Sequence, residues 1–282
     1  NAATSGAVVL NAETDATAYT DTVANLISAF TGITSHTGGL IISDTGTVLA
    51  SALNTINTLT SGTTTATEPG RITGTAAEVV ATIDATSLSS DLTLVITGAD
   101  AATIDELKTI NKATSGTVVL NAVTNAAAYT DTVANLAAAF DGITSHTGGL
   151  SVSDTGTVLA ADLTNISNLT SGTTTAITTS HITGSSAEIV SAIGAVNVRP
   201  NVTLSITGTD PATVAELITI NAVTTGAVVL NAATNSVSYN DTAANLADAF
   251  DGITTSTSTL SIAGTDPATV AQLMTINAAT NG

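Results

Sequence analysis

Thr4-Ser-Gly-Ala-Val-Val-Leu10 returns as Thr114-Ser-Gly-Thr-Val-Val-Leu120 and again as Thr224-Thr-Gly-Ala-Val-Val-Leu230, 110 residues apart each time. Tyr19, Tyr129 and Tyr239 keep that spacing, as do Phe30, Phe140 and Phe250. A fixed period of this kind outranks local signals, because each repeat is a packing unit that buries its apolar face on the next. The repeats assigned are 1–110, 111–220 and a truncated third at 221–282. With one Tyr and one Phe per repeat, the aromatics read as core residues of a recurring unit, not as parts of a unique ligand site.

Inside the long repeat runs a shorter one. Apolar, strand-like runs centre near Val8, Leu40, Thr64, Leu94 and Val118, with the near-continuous hydrophobicity of parallel strands buried on both faces. Between them lie segments of helical spacing: Val23, Leu26, Ile27 and Phe30 in one, Leu49, Leu53, Ile56 and Leu59 in another. Thr75–Glu78 and Ser185–Glu188 have the spacing of capping boxes, and Asp210-Pro211 and Asp266-Pro267 suggest an N-cap followed by proline at the first helical position. Glycines 38, 39, 62, 116, 148, 149, 172 and 226 precede strands, where a turn is expected.

The expected fold is therefore a repeat solenoid: one continuous, right-handed β-solenoid-like coil of parallel strands and short helices, about ten rungs long. Four coils fall in each of the first two repeats and two in the third, where Leu260 to Val270 nearly duplicates Leu204 to Val214. Loss of whole coils is tolerable where each contacts only its neighbours.

Composition bounds the function. Aromatic residues make up 2% and charged residues 9%, against 43% hydrophobic, so the core is aliphatic and the chain has enough apolar surface to fold. Four basic residues stand against 22 acidic ones, a net charge of −18, which repels nucleic acid and anionic lipid. No apolar run is long enough to cross a bilayer, so membrane insertion is not expected. There is no cysteine, hence no disulfide and no thiolate metal site. The chain opens at Asn1 without a basic leader, which suggests a processed or excised end.

Candidate chemistry is sparse. Asp21, Asp131 and Asp241 recur at helix starts and could form a calcium ladder, although N-capping is the favoured reading and the Gly-Gly-x-Gly-x-Asp nonapeptide is absent. No cofactor is required beyond that calcium option. His36 and His146 share one repeat position, where the third repeat has Ser or Thr, and His181 lies elsewhere; they read as turn or interface histidines. Ser and Asp abound without a marked base or pocket, so no catalytic residue is assigned and no enzymatic activity is expected. The Thr-rich runs Thr63–Thr67 and Thr173–Ile177 read first as strand surface, with O-glycan attachment or an ice-binding array as alternatives.

The ends match each other. Asn1-Ala-Ala-Thr-Ser-Gly6 and Asn277-Ala-Ala-Thr-Asn-Gly282 both resemble the internal junction Asn111-Lys-Ala-Thr-Ser-Gly116. Neither end looks capped, so Ala7, Val8, Val9 and Leu10 at one end and Leu260, Ile262, Ile276 and Gly282 at the other are assigned to a head-to-tail self-assembly interface. Segments such as Ile72 to Val80, Ile206 to Val214 and Asp131 to Leu136 resemble those of very large Thr/Ala-rich repeat proteins of bacterial, notably cyanobacterial, cell surfaces. That resemblance implies an extracellular location, structural or adhesive duty, and association with calcium or cell-surface glycans. The expected function is an extracellular structural protein whose copies join into a filament or surface layer. The alternative is an adhesin or a glycan-, calcium- or ice-binding segment of a much longer surface protein.

Overall fold

The computed structural model describes residues 8–33, 35–253 and 255–280. Among them are thirteen helices and eighteen short strands, every strand pair parallel. By contact the chain forms two compact units, Asn1–Ala127 with Ala138–Thr147, and Ala128–Ala137 with Gly148–Gly282.

The first unit holds two four-stranded sheets. One runs Tyr19–Asp21, Leu40–Ile42, Thr64–Ala66, Thr86–Leu88; the other runs Thr47–Leu49, Arg71–Gly74, Thr93–Ile96, Val118–Val119. The runs near Leu40, Thr64 and Leu94 therefore each supply one strand to each of the two sheets. Between strands of adjacent passes sit the helices Val23–Phe30, Ala50–Asn57, Ala76–Ala85 and Ile104–Ala113, which pack on one another in that order. Inward positions alternate along each strand: Leu40 and Ile42 are fully buried while Ile41 between them is not. Leu53, Ile56, Val79, Leu107 and Ile110 close the core from the helix side.

The second unit repeats this plan. Tyr129–Asp131, Leu150–Val152, Thr174–Ala176 and Val196–Val198 form one sheet, and Thr157–Leu159, His181–Gly184, Thr203–Ile206 and Val228–Val229 the next. A two-stranded sheet, Tyr239–Asp241 with Leu260–Ile262, follows. The helices Ala160–Asn168, Ser186–Ala195, Val214–Val223, Ala243–Phe250 and Val270–Ala279 pack in succession.

This arrangement corrects the expected fold. It is α/β, with several separate parallel sheets and thirteen helices, and not a single continuous solenoid coil of about ten rungs. The physical reason lies at residues 118–131. After Val118–Val119 the chain forms the five-residue helix Ala122–Ala126, and the next strand, Tyr129–Asp131, starts a new sheet without pairing to the one before. The same interruption recurs at Ala232–Ser236 ahead of Tyr239–Asp241.

Capping follows the sequence with one correction. Thr75 and Glu78, and Ser185 and Glu188, make reciprocal capping boxes, the Thr75 and Ser185 N–H groups each donating to a glutamate oxygen over 2.8 Å. Asp210-Pro211 and Asp266-Pro267 do not start helices. The N-caps are Thr213 and Thr269, each also in a capping box, because the box satisfies two helix-end donors where aspartate alone would satisfy one. The pre-strand glycines are likewise needed for closeness and not for left-handed backbone: positive φ falls at Gly32, Gly98, Gly142, Gly208, Gly252 and Gly264. A Cβ on Gly62 would lie 2.5 Å from the Thr37 carbonyl oxygen of the preceding pass.

Candidate assembly surface

The helix Val270–Ala279 and the strand Leu260–Ile262 are a second copy, within the chain, of Val214–Val223 and Thr203–Ile206. Residues 203–226 and 259–282 differ at only five of 24 positions. Their environments differ far more. Leu217 is fully buried against Ala243–Phe250, whereas its counterpart Leu273 is 45% exposed. Met274, at the place of Ile218, is 69% exposed, and Val270 75%. Leu204 and Ile206 are buried, while Leu260 is half-buried and Ile262 is exposed. An apolar helix face thus continues beside Leu260–Ile262, a strand paired on one side only in a two-stranded parallel sheet.

The other end of the described chain also packs differently from its internal counterpart. In the third repeat Tyr239 is buried and its hydroxyl donates to the Ala212 carbonyl over 2.7 Å. Tyr19 is half-buried, and its hydroxyl has a longer bond of 3.3 Å to Thr14 O. Thr234 is fully buried, its hydroxyl accepting from Ala212 N at 2.9 Å; Thr14 is half-buried. On the helix Val23–Phe30, Val23 and Ile27 are half-buried and Ala29 is exposed, where Ala243, Ala247 and Ala249 are buried. Burying a side chain of valine or isoleucine size is worth about 1.5–3 kcal/mol.

The predicted interface residues fall out as follows. Ala7 and Gly282 lie outside the described residues. Val8, Val9 and Leu10 form no strand, unlike Val118–Val119 and Val228–Val229, which pair with Thr93–Ile96 and Thr203–Ile206; among the described residues 8–10 pair with no strand, and Val9 is 86% exposed. Leu260 and Ile262 lie on the strand Leu260–Ile262, paired on one side to Tyr239–Asp241. Ile276 is buried, at 8% exposure. Exposed on the same helix but not among the predicted residues are Val270, Leu273, Met274 and Asn277, which the duplication of residues 203–226 reaches when it is extended past Val270.

The acidic residues act locally. Asp21 Oδ1 accepts from Thr22 N at 2.7 Å and from Asn25 Nδ2 at 2.8 Å, and these bonds, the Asn25 amide first, hold its carboxyl below the usual carboxylate range. Asp131 and Asp241 bond to Thr132 and Asn135, and to Thr242 and Asn245, in the same way. Each stabilises the entry to the following helix. No group of three or more metal-ligating side chains occurs among the described residues.

Two of the three histidines are buried and the third, His181, is half-buried. His36 is buried with its ring 4.5 Å from Phe30, and His146 is buried 4.4 Å from Phe140. His181 Nε2 shares a 2.7 Å hydrogen bond with Ser205 Oγ. Among the described residues no helix is long and apolar enough to cross a membrane. Comparison with protein-family models, curated proteins and solved structures returns no match.

Proposed function

We propose that this chain is an extracellular structural protein whose copies join head to tail into a filament or layer. The observation that carries the reading is Leu273, half exposed on a helix whose internal duplicate buries the same leucine completely. An apolar helix face and a strand edge at one end, with an underpacked tyrosine and helix at the other, make two different surfaces that complement each other. Such a heterologous joint leaves both surfaces free at every new end and so propagates. The −18 net charge, the Thr/Ala-rich repeats and the resemblance to bacterial surface proteins support the extracellular placement.

Electron microscopy of the full chain beside Leu273→Asp tests the proposal. Because Leu273 is half exposed, the substitution leaves the single chain folded, and a buried carboxylate at the joint is costly. Filaments or sheets from the parent and dispersed particles from L273D are expected. Dispersed particles from both would leave the adhesin or ligand-binding reading in its place.

A further inference from the structure

We infer that a second copy seats its residues 8–30 on residues 259–280 of the first, reproducing the way residues 228–250 lie on residues 203–224 within one chain. The inference rests on the self-assembly reading above and specifies its joint. Its ground is a double correspondence. Residues 259–282 duplicate 203–226 at 19 of 24 positions, and residues 7–30 match 227–250 at 15 of 24. The internal contact between the two segments is described in full, so each of its bonds has a definite counterpart across the joint.

The strand comes first. Val228 and Val229 pair in parallel with Leu204 and Ser205, so Val8 and Val9 of the incoming copy pair with Leu260 and Ser261, ordering residues that have no strand partner in the single chain. The turn follows. Asn231 Nδ2 donates to the carbonyls of Thr207, Gly208 and Asp210 at 3.4, 3.1 and 3.0 Å, and Asn121 makes the same set with Thr97, Gly98 and Asp100. Asn11, exposed here, reaches the carbonyls of Ala263, Gly264 and Asp266.

Two further bonds run in opposite directions. The Tyr239 hydroxyl donates to Ala212 O, which places the Tyr19 hydroxyl on Ala268 O. Asn221 Nδ2 donates to Asp248 O and Asp251 O at 3.0 and 2.8 Å, closing the end of the next helix, and Asn111 does the same with Ala138 and Asp141. Asn277, exposed here, then donates to the carbonyls of Ser28 and Thr31. The apolar faces close between these bonds, with Val23 and Ile27 supplying more side chain than the alanines at 243 and 247, and flexible Met274 in place of Ile218.

Cross-linking tests the register. The chain has no cysteine, so Val9→Cys and Ser261→Cys add the sole thiols, and register partners on parallel strands lie close enough to be bridged. The variant carrying both should give a ladder of covalent multimers on oxidation. An equimolar mixture of the single variants should give a two-chain product bridged between positions 9 and 261, read by peptide mass. Val229→Cys with Ser205→Cys, which should close within one chain, is the control for geometry. Tyr19→Phe should weaken association by roughly 2- to 10-fold. Association by sedimentation without the 9–261 bond, while the control closes, would overturn this joint and leave self-assembly standing. No association at all would remove both.

Discussion

At the residue scale, hydroxyl caps and buried rings carry the fold. Thr213 Oγ1 accepts from Glu216 N while the Glu216 carboxylate accepts from Thr213 N; burial pushes the Glu216 carboxyl up, but hydrogen bonds from the Thr213 N–H, the Thr213 hydroxyl and Ser186 together hold it below its usual range. Thr213→Ala should cost about 1 kcal/mol in a denaturant titration. His146 is a pH-sensitive counterpart. Burial pushes its imidazole below the ordinary value of 6.5, so the unfolded chain binds that proton more readily than the folded one. The stability from keeping this ring neutral is present above pH 6.5 and is lost as pH falls below it towards the lowered folded value. Melting temperature should therefore drop on acidification through that window, and His146→Ser, the residue the third repeat uses at position 256, should flatten that part of the drop.

At the element scale, two- to four-residue strands alternate with helices of five to ten residues, neither stable alone. What fixes them is close approach between successive passes. The Gly62 Cα faces the Thr37 carbonyl so tightly that Gly62→Ala should destabilise the first unit by about 1–3 kcal/mol, seen as early loss of amide protection in Leu40–Ile42 and Thr64–Ala66. Much of this level was legible in the sequence: the stripe Leu53 and Ile56 is buried as its spacing implies, and two capping boxes fall where Thr75 and Ser185 put them. The paired strands were not. Leu49 looked like part of a helical stripe yet ends a strand with its side chain 57% exposed, because apolar residues spaced for a helix also fit the edge of a short strand. The Asp-Pro starts failed because a threonine three residues later offers a two-bond cap.

At the scale of the whole molecule, the 110-residue period marks where a new sheet begins, which is why a regular sequence does not become one uninterrupted coil. The period also gives residues 7–30 and 259–282 internal counterparts at 227–250 and 203–226, which the sequence makes legible; the exposure of Leu273 and Met274 is not legible, since exposure of a leucine depends on what fails to cover it. Net charge of −18 opposes association. Salt shortens the Debye length from about 30 Å at 0.01 M to about 8 Å at 0.15 M, so assembly should strengthen as salt is raised over that range. Sedimentation velocity of the full chain across a concentration series in about 0.15 M salt tests the central claim most directly. The account predicts species growing with concentration in steps of one 27.5 kDa chain, abolished by L273D; a single 27.5 kDa species at every concentration would contradict it.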